Sequence, residues 1–394
     1  MSAYTIVTMP GDGIGNIVLP EAIRVLDAVG FDATYIEAPI GWSYWCREGN
    51  PLPDRTIELL QQYKLGLFGA ITSKPKNRAM EELAPELRGK GLVYYSPIVK
   101  MRQLFNLDIS IRPCKTFPGN PLNFIKRDSQ GGIFEPQIDA VIFRQNTEGL
   151  YCGVEWTNPP DQVRAALETH PKMAAFKNTA SADLAISTRI FTRSACQRIC
   201  QAAFEYARTC HYPSVTVCEK PNVIRETSGM MEEEARKIAQ HFPDIQLWST
   251  NIDAQMMWLT KNPHEYGVIV AGNMFGDIIS DGFAGLVGGL GFACSANIGH
   301  DVAVFEPTHG SAPKYEHLQP SIVNPVAMIL AACMLLEHVG ETDQAARIRT
   351  AIAKVIAAGK VRTYDMKMLK GGVDAIDKGA ATTQDMTKTI IDHL

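Results

Sequence analysis

The chain has 394 residues, 46% of them hydrophobic and 20% charged, with a formal net charge of −4. That length suits two domains or one elaborate one, and the slightly acidic balance argues against a nucleic-acid binder working by phosphate neutralisation. No run of about 18 apolar residues occurs, so no membrane-spanning helix is expected.

Tyr4–Met9 reads as a first strand, so early that no signal or transit peptide is expected before it. Nine scattered cysteines without a paired framework fit free thiols in a reducing, cytoplasmic setting. Pro10-Gly11-Asp12-Gly13-Ile14-Gly15 then leads into an amphipathic helix through Leu19–Val29. Its spacing is Gly-x-Gly-x-Gly, not the Gly-x-Gly-x-x-Gly of a dinucleotide fingerprint, so a tight strand-to-helix turn is the better reading.

Leu65–Ile71 is a second buried strand, opening into Thr72-Ser73-Lys74-Pro75 and a polar stretch of the kind that lines clefts. Arg102 follows Ser96-Pro97-Ile98-Val99; Arg112 ends a strand Leu107–Ile111; Arg144 closes a strand Ala140–Phe143 and opens the segment to Tyr151. Three guanidinium forks could converge on carboxylates if the fold gathers them; singly, each reads as a surface residue. Apolar residues at helical spacing predict one long packed helix over Ala180–Arg208, with Cys196 and Cys200 on its core face.

Ser214–Cys218 reads as a strand ending in Glu219-Lys220-Pro221-Asn222. Lys220 is either an ordinary strand-end lysine or, with a depressed pKa, a base. After a helix over Glu232–His241 and a strand over Ile245–Ser249, Asp253 either caps the next helix or joins other carboxylates. The apolar run Gly267–Gly272 hands over to Asn273-Met274-Phe275-Gly276-Asp277-Ile278-Ile279-Ser280-Asp281. With a helix starting near Gly276, Asp277 and Asp281 stack one turn apart and can grip one cation, Mg²⁺ or Mn²⁺ given hard oxygens without His or Cys. A capping Asp with a solvated second Asp is the alternative.

Gly282–Gly291 holds five glycines in ten residues, a sign of close backbone approach. Val302–Phe305 is a strand leading into Glu306-Pro307-Thr308-His309-Gly310-Ser311-Ala312-Pro313-Lys314-Tyr315, and Asn324-Pro325 opens a strongly apolar helix to His338. The tail from Gly340 is helical and polar.

Together these motifs resemble the β-decarboxylating dehydrogenases, the isocitrate, homoisocitrate, 3-isopropylmalate and tartrate dehydrogenase family, in that family's order from Pro10–Gly15 to Ala381-Thr382-Thr383. The resemblance implies two α/β domains sharing a large mixed sheet, not a Rossmann fold. Residues 1–112 and 286–394 would form a large cofactor domain, and 113–285 a small domain with the dimer clasp and metal site. It implies that Arg102, Arg112 and Arg144 clamp the carboxylates of a malate core, helped by Ser96 and Asn222. Asp277 and Asp281 would hold Mg²⁺ or Mn²⁺, with Asp253 completing the site across a homodimer. Tyr151 and Lys220 would be the acid–base pair, Lys220 and Asn222 again donated across the dimer.

For the cofactor, Thr72, His309, Gly310, Ser311, Ala312 and Asn324 resemble the family's nicotinamide-nucleotide contacts. NAD users typically carry Asp-Ile after that loop; Lys314-Tyr315 and the later Tyr364 match NADP users, so NADP is favoured over NAD. Ser96 resembles the serine that isocitrate enzymes use for a third carboxylate, while Ile98 and Phe68 replace their usual asparagine and lysine and look closer to homoisocitrate dehydrogenases. The reaction implied is oxidative decarboxylation of a 3-substituted malate of the isocitrate or homoisocitrate type. A 3-isopropylmalate, tartrate or malate substrate, or a catalytically silent regulatory subunit, is the alternative.

Overall fold

The structure, a computed structural model, describes residues 2–394. Ten strands form one mixed sheet: β1 (Tyr4–Gly11), β2 (Ala33–Glu37), β3 (Leu65–Ala70), β4 (Ile109–Lys115), β5 (Asp139–Gln145), β6 (Ser214–Glu219), β7 (Gln246–Asn251), β8 (Val268–Ala271), β9 (Cys294–Ile298) and β10 (Ala303–Pro307). Their order across the sheet is β7-β6-β8-β5-β4-β9-β10-β3-β1-β2. The first four are mutually parallel, and so are the last four. Antiparallel β4 and β9 join the two blocks, which therefore run in opposite directions. The α/β class and mixed sheet are as expected, and a doubly wound Rossmann sheet is not.

The helices around the sheet include α1 (Gly15–Val29), α2 (Pro97–Leu104), α3 (Arg193–Thr209), α4 (Arg225–Ala239), α5 (Ile252–Leu259), α6 (Asn273–Leu286), α7 (Val326–His338) and α8 (Thr342–Ala358). Strands buried on both faces send alternate side chains to opposite layers. In one block Ile6, Leu67 and Phe305 pack under α1, α7 and α8, while Val7, Met9, Phe68 and Val304 face Leu60 and Met101. In the other, Val268 and Val270 meet α3 and α4, and Ile269 and Ala271 meet Phe275, Ile279 and Phe283 of α6. Helix α7 is buried on every side from Val326 to Leu336, which explains its lack of a polar face.

The glycines after β1 have a steric reason. Gly13 has φ +55, and a Cβ there would stand 2.1 Å from the Ser311 carbonyl oxygen. The turn thus lies directly against the His309–Ala312 loop.

Several expectations are corrected. The long helix over 180–208 breaks up: Ser181–Asp183 is a single 3-10 turn, Ala185–Ser187 forms a small antiparallel ribbon with Glu155–Thr157, and the α-helix covers only Arg193–Thr209, starting at the Thr192 cap. Helical spacing before that cap was periodicity without burial, since Ala182, Asp183, Ala185 and Ser187 are exposed. β4 extends to Lys115, so Arg112 lies within a strand instead of ending it, and α6 begins at Asn273, before Gly276. The glycine run splits: Gly282 and Gly285 lie in α6, and Gly288, Gly289 and Gly291 line a cavity. Among the described residues no helix is long and apolar enough to cross a membrane.

Phe305 has no exposed surface and packs its ring 5.5 Å from that of His338. Phe305→Ala should cost on the order of 3–5 kcal/mol. Urea denaturation would show this as a lowered midpoint, and an unshifted midpoint would refute the burial argument.

Candidate active site

Helix α6 leaves β8 through Gly272 and carries Asp277 and Asp281 on one face. Arg112 Nη1 reaches Asp277 Oδ1 at 3.1 Å, Ser280 Oγ at 2.8 Å and Asp281 Oδ1 at 3.7 Å. Arg144 Nε donates to Asn273 Oδ1 at 2.9 Å and its Nη1 pairs with Asp277. A Cβ on Gly276 would lie 2.7 Å from Arg144 Cβ, so glycine there lets α6 rest on the arginine. Burial and neighbouring Arg112 pull the Arg144 pKa down, while Asp277 opposes that shift.

Tyr151, on a short turn, donates to Asp277 Oδ2 at 3.5 Å beneath the Arg144 guanidinium. Burial first and the Asp277 charge second raise its pKa above the ordinary phenol value, so it stays a proton donor. Arg102 completes the trio from α2: its Nη2 donates to Glu306 Oε1 at 2.7 Å, and Asn297 supports the same oxygen at 2.8 Å. The Nε atoms of Arg102 and Arg112 are buried without partners. Arg102, Arg112, Phe68, Ser96, Ile98 and Glu306 are among the residues lining a cavity of about 250 Å³. The three arginines thus converge.

Lys220 and Asp253 form a separate pair, Nζ to Oδ1 at 2.5 Å, which lowers the Asp253 pKa. Asp253 lies in the first turn of α5, and Asn222 is exposed beyond Lys220. No hydrogen bond or ion pair joins these three to Asp277, and among the described residues no three His, Cys, Asp or Glu side chains gather in metal-holding geometry. The chain therefore brings two hard carboxylates to one place, with the Asp281 side chain 60% exposed. Such a pair fits Mg²⁺ or Mn²⁺, which commonly keep water or substrate oxygens in their remaining positions.

Of the remaining predicted residues, His309, Gly310, Ala312, Tyr315, Asn324 and Tyr364 line a second cavity of about 560 Å³, while Thr72, Ser311 and Lys314 do not. Thr72 Oγ1 lies 2.6 Å from Ser311 Oγ, and Gly310 follows His309, whose buried Nε2 has no partner. Burial lowers the His309 pKa, which keeps the imidazole neutral. Lys314 Nζ sits 4.7 Å from the Tyr315 ring, itself 5.3 Å from that of Tyr364. Sequence reasoning gave no role to Glu306, Asn273 or Ser280. For Glu306 a signal existed: a carboxylate closing an apolar strand demands a buried cation.

A mixed-sheet α/β fold with an arginine–aspartate cleft beside a second cavity defines the class. The family model for isocitrate/isopropylmalate dehydrogenase matches residues 5–390, and the chain belongs to that family. It is 36% identical over 390 residues to protein DlpA of Legionella pneumophila, covering 98% of this chain but only 58% of that relative's length. It is also 36% identical over 361 residues to the 3-isopropylmalate dehydrogenase of Methanothermobacter thermautotrophicus, covering 92% of this chain and 93% of the other. The crystal structure of isocitrate dehydrogenase from Methylococcus capsulatus superposes with a TM-score of 0.79 at 34% identity, covering 99% of each chain.

Desolvation raises the Asp281 pKa more than Arg112 lowers it. The native state then holds the proton more tightly than the unfolded chain, so stability is lost as pH rises from the ordinary carboxylate range through the raised value. At neutral pH, Asp281→Asn should melt slightly above the parent in chelator, an advantage that fades near about pH 3. It should also lose most of the Mn²⁺-induced rise in melting temperature. An unchanged Mn²⁺ response would remove Asp281 from any cation site.

Proposed function

We propose that the protein catalyses metal-dependent oxidative decarboxylation of a 3-substituted malate, of the isocitrate or homoisocitrate type, with NADP⁺ preferred to NAD⁺. The observation that carries this reading is the convergence of Arg102, Arg112 and Arg144 beside Asp277, Asp281 and Tyr151. Planar guanidinium forks suit substrate carboxylates, and Arg102 and Arg112 both line the smaller cavity. Asp277 and Asp281, with Asp253 from a second subunit, would hold a divalent ion that would supply Lewis-acid polarisation, and a nicotinamide held at the second cavity would supply the hydride acceptor.

The chain's own residues do the rest. The arginines orient the acid, Lys220 takes the proton of the 2-hydroxyl, and the β-carboxylate is lost as CO₂ from the resulting β-keto acid. Tyr151, protonated at neutral pH, delivers a proton to the carbon so vacated. Lys220 is engaged with Asp253 and can serve as a base only after that pairing is exchanged. Its separation from Asp277 supports donation to a partner's site in a homodimer.

Lys314, Tyr315 and Tyr364 beside the second cavity support NADP⁺, since a cation and hydroxyls suit a 2′-phosphate. Substrate choice turns on the smaller cavity, where Ser96 offers a hydroxyl and Phe68 and Ile98 an apolar wall. That wall also supports a second reading, a branched alkyl group as in 3-isopropylmalate.

The test is a panel of isocitrate, homoisocitrate, 3-isopropylmalate, malate and tartrate, each with Mn²⁺ and either cofactor, followed by absorbance of the reduced nicotinamide. Turnover of isocitrate or homoisocitrate with NADP⁺ is expected. Preference for 3-isopropylmalate would favour the apolar reading, and silence across the panel by a folded protein would favour a regulatory subunit.

Tyr151→Phe should lower kcat on the order of 100-fold or more with a modest change in KM. The parent kcat should hold steady on the alkaline side up to the ordinary phenol range of about 10. A kcat within threefold of the parent, on the order of 0.7 kcal/mol, would take Tyr151 out of the chemistry.

A further inference from the structure

One buried ionic cluster lies outside the groups placed above. Glu219, last residue of β6 and neighbour of Lys220, has no exposed surface. Its Oε2 accepts from Arg189 Nη2 at 2.7 Å and from Ser228 Oγ at 2.6 Å. Its Oε1 accepts the backbone N–H of Gly272 at 2.8 Å. Ser228 Oγ in turn accepts the backbone N–H of Lys220 at 3.3 Å and Arg189 Nη1 at 2.9 Å. The Arg189 guanidinium lies 4.4 Å from the ring centre of Phe191 and 5.0 Å from that of Phe275, in the first turn of α6. A Cβ on Gly272 would stand 2.6 Å from Glu219 Oε1, so glycine there lets the chain close on the carboxylate.

The two oxygens face different elements. One fixes the end of β6 and the first turn of α4, which together set the backbone of Lys220. The other holds the residue from which α6 starts, and with it Asn273, Asp277 and Asp281. In a buried setting such bonds are strong and stiff, and removing the charge of one partner leaves the other uncompensated.

We propose that Glu219, locked by Arg189, is a positioning residue that holds Lys220 and the N-terminus of α6 in fixed relation. Its effect on turnover rests on the functional reading above for Lys220, Asp277 and Asp281. With Lys220 serving the partner's site and Asp277 its own, this one carboxylate joins two active sites.

The test compares Glu219→Gln with Glu234→Gln on the full chain. Glu234 is a second buried carboxylate, bound by Arg193, Gln197 and Lys237 between α3 and α4. Hydrogen exchange by mass spectrometry should speed up in peptides spanning 217–224 and 270–277 for Glu219→Gln, and at neither for Glu234→Gln. On the acid chosen by the panel, Glu219→Gln should lose on the order of 10- to 100-fold in kcat with a smaller change in KM, while Glu234→Gln keeps the parent kcat. Gly272→Ala crowds the carboxylate, and equally the Phe191 ring at 2.6 Å, without removing charge, so it should reproduce both effects and serves if Glu219→Gln does not fold.

Unchanged exchange at both segments in a folded variant would overturn the proposal, as would equal loss of kcat in Glu219→Gln and Glu234→Gln. A parent protein silent on every acid would overturn the functional reading instead, and the exchange comparison would still decide the role of Glu219.

Discussion

Asp277 facing two buried guanidiniums is the interaction on which the cleft depends. Arg112 and Arg144 come from adjacent antiparallel strands, β4 and β5, in a register that sets Arg144 opposite Ser110 and Arg112 opposite Ile142. Residues two apart on one strand share a face, so both guanidiniums rise on the same side of the sheet, under α6. Burying two cations side by side is costly unless a negative charge stands between them. Asp277 supplies it, which fixes where α6 crosses the sheet and why its second turn begins with a glycine pressed on Arg144. With Arg102 and Glu306 included, three positive groups face three negative ones, Asp277, Asp281 and Glu306, so the cleft is balanced before any ligand enters. A divalent cation entering with the two carboxylates of a malate core would add two charges of each sign, and a third carboxylate on the substrate would add one negative charge beyond that balance.

Much of this was legible in the sequence because the signals were local. Apolar runs ending in charged residues marked β6 and β10, an uninterrupted apolar run marked β8, and the spacing of four between Asp277 and Asp281 needed only a helix to become one face. The segment before α3 was misread because helical spacing without burial has no packing to enforce it, and a two-stranded ribbon formed instead. What spacing could not show was partnership across the chain. Glu306 lies 204 positions from Arg102, and Glu219 lies 53 from Gly272, so only the sheet order brings them together. The mixed sheet itself was readable through family resemblance and not through strand patterns, because the reversal at β4 and β9 leaves no mark on either strand's own sequence.

The cleft of a single chain is also incomplete in an instructive way. Arg112, Arg144, Asp277 and Tyr151 form one connected set, whereas Lys220 and Asp253 satisfy each other some way along the same sheet edge. Lys220 is paired with Oδ1 of Asp253, whose side chain is otherwise largely exposed and keeps its second oxygen free. On the proposed function, a negatively charged substrate would draw Lys220 away from this pairing and a divalent ion would draw on Asp253. Charge pairing of this kind keeps two costly groups soluble and ordered in the separate chain, and it makes their release conditional on the arrival of the opposite charges. The carboxylate of Glu219, one residue from Lys220 and bonded to the start of α6, links these two sets through one hydrogen bond. As a positioning residue it fixes the end of β6 and the start of α6 relative to each other.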